Sequence, residues 1–384
     1  MFPAWRSAAL ATLWIGIPGC GPARGVSAPP APFPAVPAAQ VDVTLFFIGD
    51  AGAPAAPPDS EPVLLALRAA AATASRPVVV FLGDNVYPRG LPDSADGGRP
   101  EAERRLGAQL AVLRASGARG VFVPGNHDWD RQGPRGWDAV RREERFIGAG
   151  GGAVLLPGGG CPGPAVLDVG QSVRVVALDT QWWLQDGPKP RHPDSACAAD
   201  SEHEVIDSLR AALGTAGERR VVVVAHHPLS SGGPHGGHFG WQDHLFPLRD
   251  VKSWLWLPLP LIGSVYPIAR ESGVSSQDMP SRAYRRMRAD LDSAFAGSAP
   301  LVYAAGHDHT LQVIGGTSAH YELVSGAGFF GHHDRVVALD RTRFARSASG
   351  FIRIDFLRDG RARLGVIIVA RDGSAAEAFG LWIT

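Results

Sequence analysis

The sequence predicts an α/β protein whose first half contains a parallel sheet. Short runs rich in branched apolar residues alternate with segments of helix-like composition, as in parallel strands joined by helices. The apolar runs are residues 43–48, 78–82, 121–123, 221–225 and 301–305, and the helix-like segments are residues 62–74, 101–116, 138–147 and 201–213. Because helices cover both faces of such a sheet, we expect these strands to be buried.

The last part of the chain predicts antiparallel strands. Residues 351–357 alternate apolar and charged side chains, Asp359-Gly360 offers a tight turn, and residues 362–369 supply a partner strand. We therefore expect hairpins in the second half, with no internal repeat and no second domain.

Composition limits the function. The chain has 384 residues, of which 45% are hydrophobic and 19% charged, so it can bury a sizeable core. Lys plus Arg and Asp plus Glu are equal at 37 each, so no nucleic-acid binding is expected. We expect a small-molecule substrate, and the sequence leaves the oligomeric state open.

A short polar motif follows directly on each of the five apolar runs. A lone Gly-Asp after a strand is usually a turn or a helix cap, but five such motifs in order indicate a common site at the carboxyl ends of the strands. The motifs are Gly49-Asp50-Ala51-Gly52, Gly83-Asp84-Asn85-Val86-Tyr87, Gly125-Asn126-His127-Asp128, His226-His227-Pro228 and Gly306-His307-Asp308-His309.

The side chains at these strand ends are oxygen and imidazole donors, which suit hard or borderline metal ions. Seven candidate ligands are too many for one four-coordinate ion but suit two ions that share a carboxylate. Two such ions can clamp the attacking and leaving oxygens of a phosphate ester, so phosphoester hydrolysis is the first hypothesis. The candidates are Asp50, Asp84, Tyr87, Asn126, His226, His307 and His309.

In their order these motifs resemble the signature of the calcineurin-like metallophosphoesterases, over roughly residues 43–311. Asp50 lacks a histidine two positions later and Tyr87 follows Asp84 by three positions, which resembles the purple (tartrate-resistant-like) acid phosphatase type. The resemblance implies a four-layer αββα metallophosphoesterase sandwich, in which two central sheets are flanked by helices.

The resemblance also implies how the ligands are shared between two metal ions. Fe(III) suits the first ion because a phenolate is a hard anionic donor, and Fe(II), Zn(II) or Mn(II) suits the second. Tyr87 has an alternative role as a packed loop residue. The first ion takes Asp50, Asp84, Tyr87 and His309, and the second takes Asp84, Asn126, His226 and His307, with Asp84 bridging.

The same resemblance assigns the residues beside the metals. His127 is expected to touch the substrate phosphate and to protonate the leaving group, while water activated by a metal attacks. Asp128 either orients the His127 ring or caps the next segment. His227 lines the substrate pocket or packs. Five further histidines receive no role, namely His235, His238, His244, His332 and His333.

The sequence thus predicts an extracytoplasmic hydrolase of phosphate esters, with a preference for monoesters. The alternatives are a phosphodiesterase, a lipid or nucleotide phosphate hydrolase of the same superfamily, and a non-catalytic surface-tethered interaction protein. Hydrolysis of a generic aryl phosphate would separate the enzymes from the interaction protein.

The amino terminus predicts export to a bacterial cell envelope, in the periplasm or at the cell surface. Residues 1–20 read as a signal peptide that ends in the lipobox-like Ile17-Pro18-Gly19-Cys20, which predicts lipidation of Cys20 and contact with a membrane. The alternative is an ordinary secretory signal. Residues 21–40 form a Pro/Ala-rich linker, and residues 41–384 form the catalytic domain.

Two further features belong to the predicted domain. Cys161 and Cys197 are expected to form a disulfide in an oxidising compartment, with two free thiols as the alternative. An apolar insertion spans about residues 229–280, and its residues 253–269 carry no charge. Because prolines interrupt it, this segment cannot span a bilayer as a helix. We expect it to pack as a buried insertion or lid, with an exposed patch that touches lipid or an apolar substrate as the alternative.

Overall fold

The computed structural model describes residues 36–57, 60–250 and 255–383. The predicted signal peptide, the lipidation site Cys20 and most of the linker lie outside these residues. Within them, the strands form two sheets of seven strands each.

All fourteen described strands are β1 (Val41–Ile48), β2 (Pro77–Phe81), β3 (Arg119–Phe122), β4 (Ala153–Leu155), β5 (Ala165–Val169), β6 (Val173–Ala177), β7 (Arg220–Val224), β8 (Val302–Ala305), β9 (Leu311–Gly315), β10 (Tyr321–Ser325), β11 (Thr342–Arg346), β12 (Gly350–Leu357), β13 (Ala362–Val369) and β14 (Ala375–Ile383). The five strands predicted from the apolar runs are β1, β2, β3, β7 and β8, and each begins and ends within two residues of its run.

The helices include the four predicted segments. Polar caps fix where some of them begin, since the Ser201 and Ser281 side chains accept hydrogen bonds from the first turns of α5 and α8. The described α-helices are α1 (Pro62–Ala72), α2 (Arg99–Ser116), α3 (Gly136–Ala149), α4 (Gln181–Leu184), α5 (Glu202–Gly214), α6 (Trp241–Leu245), α7 (Val265–Glu271) and α8 (Arg282–Phe295).

The order of the strands explains where the site forms. One sheet has the order β14-β13-β12-β1-β2-β3-β4, and the other has the order β11-β9-β10-β8-β7-β6-β5. Strands β1, β2 and β3 are parallel neighbours, as are β7 and β8. The carboxyl ends of these five strands therefore lie at corresponding edges of the two sheets. The predicted hairpin joins β12 and β13 in antiparallel register.

Three apolar clusters separate the layers. One lies between the two sheets and contains Leu45, Val80 and Val222. A second lies between the first sheet and helices α1 to α3, and a third lies between the second sheet and helices α5 and α8. The αββα sandwich that the sequence predicts is confirmed.

Cys161 and Cys197 are joined by a disulfide, with their Cα atoms 5.6 Å apart. The bond links the segment before β5 to the loop before α5. It closes a loop across a sequence separation of 36 residues, and such a crosslink stabilises a fold by about 4 kcal/mol.

The apolar segment at residues 253–269 does not pack as a buried insertion, so this expectation is wrong for its described part. Trp256 and Leu257 are each 53% exposed, Ile262 is 73% exposed and Leu261 is 90% exposed. None of the described residues of this segment belongs to the three apolar clusters. The prolines prevent a long element with one buried face, and the segment packs mainly against the short helix α6.

Candidate metal centre

Five loops meet where the carboxyl ends of the two sheets approach each other. The first sheet contributes Asp50 after β1, Asp84 and Tyr87 after β2, and Asn126 after β3. The second sheet contributes His226 after β7, and His307 and His309 after β8. The structure therefore brings all seven predicted ligand residues together.

The backbone at this point adopts unusual conformations. Asp50, Asp84 and His307 have φ values of 56°, 52° and 70°, in the left-handed region that non-glycine residues rarely occupy. Such conformations persist where the surrounding structure holds them, and they concentrate at functional sites.

Glycines allow the loops to come this close. A Cβ atom on Gly125 would lie 2.3 Å from Asp84 Oδ1, and one on Gly306 would lie 2.5 Å from Asp50 Oδ2. Either contact would force the carboxylate away, so the motif glycines are part of the site.

Three donors form a first cluster. The Tyr87 hydroxyl donates to Asp50 Oδ1 at 3.0 Å and lies 3.4 Å from His309 Nε2. His309 Nε2 lies 3.6 Å from Asp50 Oδ1, so the three donor atoms surround one point.

A second cluster lies on the other side of Asp84. Asn126 Oδ1 lies 3.0 Å from His226 Nε2 and 3.1 Å from His307 Nδ1. The two imidazole nitrogens are 3.2 Å apart, and Asp84 Oδ1 is 3.4 Å from His226 Nε2. Asp84 also interacts with the Tyr87 hydroxyl of the first cluster, so it lies between the two.

These spacings are those of atoms around a metal ion. Ligands about 2.0–2.2 Å from one ion at tetrahedral or octahedral angles lie about 2.8–3.6 Å from each other. Asp50, Asp84 and His226 also form a group whose donor atoms all lie within 4.8 Å. The donor set and its spacing therefore fit a dinuclear metal site.

The histidines are turned with one lone pair toward the clusters. His226 Nδ1 bonds to the Leu82 carbonyl at 2.8 Å, and His307 Nε2 bonds to the Gln277 carbonyl at 2.9 Å. A carbonyl only accepts, so each of these nitrogens carries the proton and the other nitrogen is free to bind a cation. His309 Nδ1 bonds in the same way to the Asp334 carboxylate at 2.9 Å.

The electrostatic surroundings of Asp84 keep its carboxyl group ionised, as a bridging ligand requires. Burial raises the pKa of Asp84, but the neighbouring imidazoles and the backbone N–H of His127 bring it down to about 2. Asp84 is therefore a carboxylate at any ordinary pH. Burial raises the pKa of Tyr87 well above its usual value, and Asp50 and Asp84 raise it further. A cation bound beside the hydroxyl would lower the pKa of Tyr87.

His127 lies beside the clusters with part of its ring accessible. Its Nδ1 bonds to the Pro88 carbonyl at 2.7 Å, which leaves Nε2 3.8 Å from Asp84 Oδ2. The side chain is 19% exposed, as is that of the candidate ligand His309. A substrate can therefore reach Nε2.

Asp128 neither orients the His127 ring nor caps a helix, so both readings of this residue are wrong. Its buried carboxylate accepts backbone N–H bonds from Gly125 at 2.8 Å and from Asn85 and Val86 at 3.0 Å. The Pro88 carbonyl holds His127 instead. Burial, together with the charge of Asp84, raises the pKa of Asp128 to about 7. Asp128 thus ties the loop after β2 to the loop after β3.

His227 packs behind the site and does not line a pocket. It is fully buried, with Nδ1 2.8 Å from Thr180 Oγ1 and Nε2 2.9 Å from Gln277 Oε1. It lies close enough to His226 and His307 to count as a third donor. Asn126 suits that position better, because both nitrogens of His227 already have protein partners.

Four residues near the centre carry no motif and are not predicted. The His235 ring lies 3.9 Å from that of His307, and the His332 ring lies 3.8 Å from that of His309. Gln277 and Asp334 bind the outer nitrogens of His307 and His309. Their only sequence signal is a position in long glycine-rich loops, which does not show which side chains turn inward.

No profile of a known protein family matches the sequence, and no curated protein matches it. The solved structures that share its fold include a lupin phosphatase and a Plasmodium anchor protein. Purple acid phosphatase PPD1, isolated from yellow lupin (Lupinus luteus) seeds, is 13% identical with a TM-score of 0.55, over 89% of this chain and 53% of the lupin enzyme. GAP50, the anchor in the inner membrane complex of Plasmodium, is 13% identical with a TM-score of 0.53, over 90% of this chain and 89% of GAP50.

The protein therefore has the metallophosphoesterase sandwich fold, with a cluster of candidate metal ligands where its two sheets meet. It spans about half the length of the lupin phosphatase and most of the length of GAP50. At 13% identity, these likenesses establish the fold alone.

The role of Asp128 can be tested by substitution. Asp128→Ala leaves three buried N–H groups without an acceptor, at about 1–3 kcal/mol each, so unfolding in urea should show a loss of about 3 kcal/mol or more. Metal content, measured by mass spectrometry, should fall as the two loops separate. Asp138→Asn, an exposed change on α3, is the control. Wild-type stability and metal content in Asp128→Ala would contradict this role.

Proposed function

We propose that the protein is an exported phosphomonoesterase with a dinuclear metal centre of the purple acid phosphatase type. One observation carries the proposal: two clusters of oxygen and imidazole donors share Asp84 at the carboxyl edge of both sheets. The fold shared with the lupin phosphatase supports it.

A pair of metal ions at these clusters would supply Lewis acidity and activate a water molecule. Asp50, Tyr87 and His309 would hold one ion, for which Fe(III) suits the phenolate oxygen. Asn126, His226 and His307 would hold the other, for which Fe(II), Zn(II) or Mn(II) is suitable. Asp84 would bind both.

His127 is placed to act as the general acid. The Pro88 carbonyl fixes the ring through Nδ1, so Nε2 faces the space above Asp84 where a phosphate ester would bind. Because Nδ1 donates to the Pro88 carbonyl, Nε2 carries a proton only in the imidazolium form, and that form can pass its Nε2 proton to the departing oxygen of the ester. The role rests on the position of the ring and on its accessibility.

The alternatives remain distinct proposals. A phosphodiesterase, or a hydrolase of lipid or nucleotide phosphates, would use the same centre and differ in the loops that contact the leaving group. A non-catalytic tethered protein is the other alternative, and GAP50 is described as an anchor. The complete set of convergent donors favours catalysis, because a binding surface does not need it.

Substrate preference is the first test. With metal-loaded protein, kcat/KM for an aryl phosphate monoester should exceed that for the matching diester at least about tenfold, as the Tyr87 pattern of the monoesterases suggests. Tenfold preference for the diester would support the phosphodiesterase alternative, and no turnover of either ester would support the non-catalytic one.

The general acid can be tested separately from metal binding. His127→Ala should keep both metals and lose about 10²–10⁴ in turnover, with a smaller loss for leaving groups acidic enough to depart unprotonated. His333→Ala, which changes an exposed histidine, should behave as the wild type. Parallel loss of metal and activity in His127→Ala would show that this residue holds the site together.

The Tyr87 assignment predicts a colour. A phenolate bound to Fe(III) absorbs visible light by charge transfer, so iron-loaded, oxidised protein should show a visible band that Tyr87→Phe abolishes and Tyr266→Phe retains. If no band depends on Tyr87, that residue is a packed loop tyrosine and the purple-type assignment fails, while the other ligands remain.

We also propose that the protein is anchored to the bacterial cell envelope through lipidated Cys20. The mature protein should begin at Cys20, carry acyl chains and partition with membranes, whereas Cys20→Ser should remain uncleaved or soluble. The mass of the mature amino terminus is the measurement. An unmodified terminus at another residue would indicate an ordinary secretory signal.

A further inference from the structure

An apolar surface stands out beside the candidate site. Among the described residues, eleven large hydrophobic side chains are prominently exposed, and nine of them lie between residues 241 and 274. We call the part of this surface formed by residues 256–268 the apolar tip. Its exposed side chains are Trp256, Leu257, Leu261, Ile262, Val265, Tyr266 and Ile268.

The chemistry of the apolar tip is that of a membrane interface. It has no charged side chain, and it combines aliphatic residues with a tryptophan and a tyrosine, which prefer the headgroup region of a bilayer. Leu261 forms its outermost point at 90% exposure, with a left-handed φ of 68°. An exposed leucine in such a conformation has no role in the packing of this domain.

The short helix α7 connects the apolar tip to the surroundings of the metal centre. Tyr266 and Ile268 are 41% and 53% exposed on it, while Arg270 is 16% exposed, donates to the Tyr266 hydroxyl and binds Asp278. Asp278 also lies 2.9 Å from His235 Nδ1.

The inner side of the insertion reaches a candidate ligand directly. The His235 ring lies 3.9 Å from the His307 ring at an interplanar angle of 39°, and the neighbouring Gln277 carbonyl binds His307 Nε2. The insertion therefore connects the apolar tip to the second ligand cluster through a continuous set of contacts.

We propose that the apolar tip docks on the surface of a lipid bilayer and presents the candidate site to phosphate esters carried by lipids. The docking is independent of catalysis. The substrate class rests on the proposed phosphoesterase function.

Two features favour a bilayer over a second copy or a protein partner. Residues 1–35 lie outside the described part of the chain and include the predicted lipidation site Cys20. The Pro/Ala-rich linker after Cys20 can span about 50 Å, enough for the domain to turn its apolar tip toward the membrane that holds the anchor. The apolar tip also offers no charged side chain that would select a particular protein partner.

Vesicle flotation tests the docking without any substrate. Full-length Cys20→Ser protein, which lacks the acyl chains, should float with neutral phosphatidylcholine vesicles equally well at low and high salt. The double variant Leu261→Ser/Ile262→Ser should partition at least about tenfold less. Val166→Ser, which changes an exposed valine on β5, is the matched control and should float as the parent does.

Several outcomes would overturn the docking proposal. They are failure of the parent to float, equal flotation of the double variant, or a dimer in solution that the double variant abolishes without any change in flotation. A second measurement uses the parent alone. Lipids brominated along the acyl chains should quench part of its tryptophan fluorescence through Trp256, and absence of quenching counts against the proposal.

Activity distinguishes failure of the substrate class from failure of the proposed function. The double variant should hydrolyse a soluble aryl phosphate at the parent rate but a long-chain phosphate monoester embedded in vesicles several-fold more slowly. Equal loss on both substrates, or no loss on the embedded ester, would refute the substrate class. No hydrolysis of either substrate by the parent would refute the phosphoesterase function, while flotation would still test docking.

Discussion

The fold depends on the convergence of buried carboxylates and imidazoles where the two sheets meet. Asp50 is fully buried and Asp84 is 2% exposed, and burying carboxylates this close together is costly unless opposite charge compensates them. Backbone N–H groups of His127 and His307 supply part of that compensation by donating to Asp84 and Asp50. Bound cations would supply the rest of the compensating charge.

Much of the surrounding structure serves this convergence. Glycines replace larger residues where the loops touch the carboxylates, and Asp50, Asp84 and His307 occupy strained backbone conformations. Asp128 holds the loops after β2 and β3 together through backbone hydrogen bonds. A fold optimised only for stability would avoid these features, so they indicate selection for a site.

The alternation of strands and helices and the convergence of the candidate ligands were predicted well because both follow from local patterns, while the αββα sandwich was implied by the family resemblance. Each ligand is adjacent to a buried strand, and strand order then brings the motifs together. Contacts set by long loops could not be predicted. Asp334 reaches His309 from a loop without periodicity, and Asp128 turns away from the neighbouring His127 ring because nearby N–H groups need an acceptor. The exposure of the apolar tip was expected only as the alternative to a buried insertion or lid, since hydrophobicity does not reveal whether a packing partner exists.

The most direct test of the account is crystallography of the purified, metal-loaded protein with anomalous scattering at the absorption edges of iron, zinc and manganese. The account predicts two anomalous peaks about 3.5–4 Å apart, one beside Asp50, Tyr87 and His309, the other beside Asn126, His226 and His307, with Asp84 between them. A single peak, no peak, or ions bound away from Asp84 would contradict a dinuclear centre at this position.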